Sequence, residues 1–121
     1  REGLIDGTID IIATDHAPHP RESKECEWSQ AAFGMLGLET ALSIAQLVLV
    51  ESGLSDWSRV AEVLSINPAR ISGMEDQGHA LKASDAANFT LVDPSKTRTI
   101  SQTQSKRPGN YSQKIFIRRR F

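Results

Sequence analysis

Hydrophobic residues in this chain come in four textures, and each predicts a different element. The first is a dense run, Ile9, Ile11, Ile12 and Ala13, with no polar alternation beyond Asp10. β-Branched residues in that arrangement suit a short strand covered on both faces, so a buried strand is predicted over 9–14, entered through a turn at Gly7. The second, "LETALSIAQLVLVES" over 38–52, combines good helix formers with Gly53 as a stop, and predicts a helix apolar nearly all round. Such a helix needs more than one neighbour to cover it. The third places Trp57, Val60, Ala61 and Leu64 at i, i+3, i+4 and i+7, one face of a helix that Ser55 can cap. A further short helix is predicted at "NPARISG", with Asn67 as N-cap, Pro68 at the first helical position and Gly73 as terminator. In the fourth, "ANFTLVDPSKT" reads as a strand closed by an Asp-Pro turn, and "QKIFIRRR" as another with Ile115 and Ile117 alternating. Between the first two lies "PRESKECEWSQAAFG", polar and mixed, an extended loop.

Composition narrows the classes. Of 121 residues, 39% are apolar and 24% charged, an ordinary globular balance that excludes a disordered chain. The net charge of −1 gives no reason to expect nucleic acid or an anionic membrane as partner, the basic end "RRRF" reading as a solvated terminus. "IAQLVLV" is too short to span a bilayer. The lone Cys26 cannot form an intramolecular disulfide, which fits a reducing cytoplasm. The chain opens on Arg1 and enters mid-pattern, so it is expected to be a piece of a longer protein.

The candidate chemistry sits where the first strand is expected to end. "DHAPH" delivers Asp15, His16 and His19 to one turn shaped by Pro18, and in parallel α/β folds that end of a strand collects functional groups. A carboxylate with imidazoles can ligate a divalent metal such as zinc, whose bound water is deprotonated near neutral pH. The same residue types also cap helices and satisfy loop backbones, and residue type alone leaves both readings open. His79 lies in a polar segment and is expected to be exposed; "NPAR" is explained by capping alone.

Together, "ATDHAPH", "AAFGMLGLETAL", "LSINPARISGM" and "ANFTLVDP" resemble the C-terminal third of a bacterial type I dihydroorotase, of the amidohydrolase superfamily, from about residue 2 to 95. The resemblance implies an α/β fold: residues 1–74 as the last part of a metal-dependent (β/α)8 barrel, with 9–15 its eighth strand, and 75–121 as the return into a flanking small β domain, divergent after about 100. It implies zinc-dependent, reversible hydrolysis of (S)-dihydroorotate to N-carbamoyl-L-aspartate in pyrimidine biosynthesis, in the cytoplasm. By the same resemblance Asp15 is a zinc ligand and the proton-transfer group, His19 binds substrate, and Phe33 and Gly34 touch the pyrimidine ring. His16 is read as structural, not as a ligand, and Phe33 has plain packing as its alternative. The family's His-x-His and remaining metal ligands are not in this chain, so the isolated chain is expected to be inactive and poorly soluble. Implied partners are the small-molecule substrate and either further copies of the enzyme or aspartate transcarbamoylase. Two alternatives stand beside this: a dihydropyrimidinase or allantoinase, against which the full DHAPH turn argues, and a non-catalytic dihydroorotase-like scaffold, against which Asp15 and His19 argue.

Overall fold

The computed structural model describes residues 1–97. The expected strand at "QKIFIRRR", the basic end and the divergence after about 100 lie outside the described residues. Within them the chain forms two compact units, one of residues 1–13 with 44–93, the other of residues 14–43 with the described residues from Pro94 on.

The first unit is helical. Its α1 is a single turn, Glu2–Ile5, at the start of the chain. The predicted helix over 38–52 is present as α2, Ala41–Ala45, continued by a wider π-type stretch over Gln46–Glu51. Ala45, Gln46 and Leu49 are buried while Ile44 and Leu47 stay exposed, as expected of a helix apolar on more faces than this chain covers. Gly53, at φ +72°, turns the chain after it, and the Ser55 N–H closes the turn on the Leu49 carbonyl.

Ser55 does not take the capping role expected of it. The cap of α3, Trp57–Ala61, is Asp56, whose Oδ1 accepts from the N–H groups of Ser58 (2.9 Å) and Arg59 (3.3 Å). The helix then runs through a second π-type stretch, Glu62–Ile66, straight into α4, Asn67–Ile71. Asn67 is therefore inside a continuous helix, not the cap of a separate one. The widened turn also changes the buried face: Val63 joins Val60 inside while Ala61 is exposed. Gly73, at φ +68°, ends the helix in the left-handed conformation that glycine adopts without a Cβ penalty, with Met74 N–H reaching back to the Ala69 carbonyl.

The widened turn also holds the apolar run that precedes the DHAPH turn. In it the Asn67 N–H bonds to the Glu62 carbonyl, five residues back. The next donor in that pattern would be Pro68, which has no N–H, so the Val63 carbonyl is left for the Ile12 N–H at 3.0 Å. Asn67 Nδ2 donates to the Asp10 carbonyl (2.9 Å) and Arg59 to the carbonyls of Leu4 (2.7 Å) and Ile9 (3.3 Å). Residues 9–12 thus lie along the helix.

They do not form the predicted strand. Among the described residues there is no β-ladder; an isolated parallel bridge joins His16 and Met35, and Ile9 is exposed. A strand is made by its neighbours, and no described segment pairs with 9–14. Likewise "ANFTLVDP" is irregular chain with Phe89 and Leu91 exposed, followed by the expected turn at Pro94. No described helix is long and apolar enough to cross a membrane.

Candidate functional site

The second unit carries the DHAPH turn and is built largely from loops. Asp15 sits at φ +44°, a left-handed conformation that costs an L-residue energy and that Asp tolerates better than most. Its side chain is exposed and makes no hydrogen bond or ion pair among the described residues. Among the described residues it caps nothing. Strained residues of this kind gather at functional sites, where surrounding structure overrides the local preference.

His16 turns back into the unit. Its Nδ1 accepts the backbone N–H groups of Gly37 and Leu38, both at 3.2 Å, while Nε2 is buried with no partner among the described residues. One residue on, the Ala17 N–H donates to the Met35 carbonyl at 3.1 Å. The turn is thereby sewn to residues 35–38. His19, half-buried, meets the same segment at Gly34: a Cβ placed on that glycine would lie 2.6 Å from the Ala17 Cβ and 3.2 Å from His19 Nε2. With φ at +114° as well, position 34 has neither the room nor the backbone for any other residue.

A loop closes the other side. After a 3₁₀ turn at Arg21–Ser23, the Ala32 N–H returns to the Ser23 carbonyl at 2.9 Å, and Lys24 Nζ donates to the carbonyls of Ala32 (2.7 Å) and Gly34 (2.8 Å). Lys24 was missed by sequence reasoning, since a lysine in a polar loop carries no local sign of gathering carbonyls eight and ten residues away. Beyond this clamp Phe33 is 96% exposed and Trp28 is 94% exposed on the same loop. His79 is exposed, as expected, and bonds to the Ala80 carbonyl.

Of the expected site residues, His19 and Gly34 are brought into contact, Phe33 adjoins them in the chain, and Asp15 stands four residues before His19 with a free carboxylate. No group of three His, Cys, Asp or Glu side chains that could hold a metal ion exists among the described residues. Asp15 offers one carboxylate ligand, and His16 offers none at Nδ1, which the backbone already occupies. The arrangement can present a carboxylate, an imidazole and backbone polar groups to a small polar molecule. By itself it cannot enclose an ion.

Comparison with known proteins places this arrangement. No family model matches the chain. Among solved structures, the D-hydantoinase (dihydropyrimidinase) of Thermus sp. is similar over 85% of this chain and 23% of its own, with a TM-score of 0.73 at 26% identity. The fold is thus that of a segment of an amidohydrolase. Among curated proteins, the dihydroorotase of Streptomyces coelicolor is 57% identical over 93 residues, 77% of this chain and 22% of the relative. Those of Leifsonia xyli and Mycobacterium tuberculosis are 52% and 48% identical, each over 84% of this chain and 23% and 24% of their own lengths. Over the matched residues the chain belongs to the dihydroorotase family. It spans between a fifth and a quarter of the length of these relatives.

Proposed function

We propose that this chain is the C-terminal part of a dihydroorotase, and that the whole protein interconverts (S)-dihydroorotate and N-carbamoyl-L-aspartate in the cytoplasm as a step of pyrimidine biosynthesis. The observation that carries this reading is identity of 48–57% to dihydroorotases over 93–101 residues of this chain. In the proposal, residues 1–74 complete a (β/α)8 barrel and 75–121 return to a small β domain. Strands 9–14 and 87–94 would acquire their ladders from the remaining chain, where the exposed Ile44 and Leu47 would also find cover.

Asp15 is assigned two duties, as one ligand of a zinc site completed by residues outside this chain and as the proton carrier. Zinc in such a site lowers the pKa of water to about 7 and polarises a carbonyl. During ring opening the Asp15 carboxylate takes the proton of the attacking water and delivers it to the departing amide nitrogen; cyclisation runs the transfer backward. Its exposed, unpartnered carboxylate supports this duty. His19 donates to the substrate carboxylate, and Gly34 lets the ring approach the backbone beside the exposed Phe33. Assembly as a homo-oligomer or with aspartate transcarbamoylase completes the reading.

The hydantoinase likeness favours a second reading, hydrolysis of another cyclic amide, and its 26% identity ranks it below the first. Purified full-length protein offered dihydroorotate, dihydrouracil and hydantoin in parallel decides between them. The expected result is ring opening of dihydroorotate alone at appreciable rate, with zinc found by elemental analysis. Preference for either neutral ring would transfer the assignment to the second reading. The isolated 121-residue chain is expected to open none of the three.

A further inference from the structure

We infer that His16 is a positioning residue, held as the neutral tautomer with its proton on Nε2, whose bare Nδ1 fastens residues 37–38 to the DHAPH turn and so sets Gly34 against His19. Its consequence for catalysis rests on the dihydroorotase reading above; the tautomer and the fastening do not.

The argument starts from donors and acceptors. Two backbone N–H groups, of Gly37 and Leu38, converge on His16 Nδ1 at 3.2 Å each. A nitrogen that accepts cannot also carry a proton, which puts the ring's proton on Nε2. That Nε2 is buried with no partner among the described residues. A buried donor without an acceptor is unfavourable, and an apolar ring such as phenylalanine would fill the same space without that cost. Among the described residues the ring's hydrogen bonding is therefore carried by Nδ1.

What Nδ1 holds is the register of the site. The bonds to Gly37 and Leu38, with Ala17 N–H on the Met35 carbonyl, align residues 35–38 beside 16–17 as an isolated parallel bridge. From Met35 the chain runs directly back to Gly34, where a Cβ would lie 2.6 Å from the Ala17 Cβ and 3.2 Å from His19 Nε2, so the bare glycine lets both stand this close. Lys24 anchors the Gly34 carbonyl from the other side. An isolated bridge is a weaker tether than a ladder, since a sheet gains its stability from several paired strands. The side-chain acceptor at residue 16 adds two bonds to it. Without that acceptor the Gly34–His19 contact loses its brace while Asp15 keeps its carboxylate, so substrate capture should suffer more than proton transfer.

The test uses the full-length protein labelled with ¹⁵N-histidine. Long-range proton–nitrogen spectra should show His16 with a bare Nδ1 and a protonated Nε2; a protonated Nδ1, in either the other tautomer or the cation, overturns the inference. His16→Asn places Oδ1 where Nδ1 stands, whereas His16→Phe keeps the ring and removes the acceptor. The Asn variant should hold the amide signals of Gly37 and Leu38 near their wild-type positions and keep KM for dihydroorotate within about threefold. The Phe variant should shift both signals and raise KM about tenfold or more, with a smaller change in kcat and unchanged zinc content. Equal behaviour of the two variants in the amide spectra, or a fall confined to kcat in the Phe variant, overturns it. If the wild-type protein opens no dihydroorotate, the functional reading fails instead, and the tautomer and amide signals still decide the fastening.

Discussion

Between Trp57 and Gly73 the chain buries Val60, Val63 and Ala69 and closes both helix ends with its own groups, Asp56 at the start and Gly73 at the finish. Between Thr14 and Leu38 no residue is buried, and side chains join the backbone's own bonds in holding the loops: His16 on two N–H groups, Lys24 on two carbonyls. The helical segment satisfies its backbone over four or five residues and gains stability from apolar packing. The DHAPH segment spans separations of up to 22 residues with polar contacts and leaves Asp15 strained and Phe33 in the open. A region of the first kind tolerates loss of one polar group and suffers from loss of volume. A region of the second kind should respond in the opposite way, because its geometry rather than its stability is what function uses.

The largest expected effect tests that contrast at Asp15. In the full-length protein Asp15→Asn should lower turnover of dihydroorotate by at least about 10² to 10⁴, the usual worth of general acid–base catalysis, with little change in melting temperature. Activity within tenfold of wild type in steady-state kinetics would take Asp15 out of the chemistry. Leu49→Ala probes the opposite kind of region: Leu49 is fully buried, so the substitution should cost about 2–5 kcal/mol. Thermal unfolding of the full-length protein should register this as a clear fall in midpoint, while kcat/KM measured well below that temperature stays near wild type. An unchanged midpoint would mean that the packing around Leu49 is not a source of stability.

A smaller effect is expected at His19. His19→Ala removes a charge-assisted hydrogen bond to substrate worth about 1.5–3 kcal/mol, hence about ten- to hundredfold in kcat/KM. Zinc stoichiometry, read by elemental analysis, should be unchanged; metal lost in step with activity would make His19 a ligand and redraw the division of the turn. The smallest effect belongs to Asp56→Ala, which deletes the cap of α3 for about 0.5–2 kcal/mol. Calorimetry should show a modest loss of stability with Asp56→Ser largely restoring it. A loss of activity larger than the loss of stability would mean that the helical segment and the DHAPH segment are less separable than their construction indicates.

The helices were legible because their determinants are local. Gly53 and Gly73 end them where the spacing places the stops, and the apolar density of 38–52 yields a helix within three residues of the predicted start. The misreadings came where two local signals compete. Ser55 and Asp56 are both good caps, and the helix begins at Trp57, so that it is the Asp56 carboxylate that meets the Ser58 and Arg59 N–H groups. Asn67-Pro68 reads as a helix start, yet the widened turn carries the helix through it, and the donor that Pro68 lacks becomes the anchor for Ile12.

Family membership was legible too, since the motifs that carry the resemblance are contiguous in the sequence, and two dihydroorotases are 52–57% identical over 93–101 residues of the chain. So was the gathering of a carboxylate and two imidazoles at the DHAPH turn, because groups so close in sequence must end close in space. Tertiary structure alone decided the rest: that Asp15 is left-handed with a free carboxylate, that His16 gives its Nδ1 to the backbone, that Lys24 gathers two carbonyls, and that Gly34 receives His19. Each depends on where a distant backbone group arrives, and residue type records what a side chain can bond without recording which partner the folded chain will bring to it.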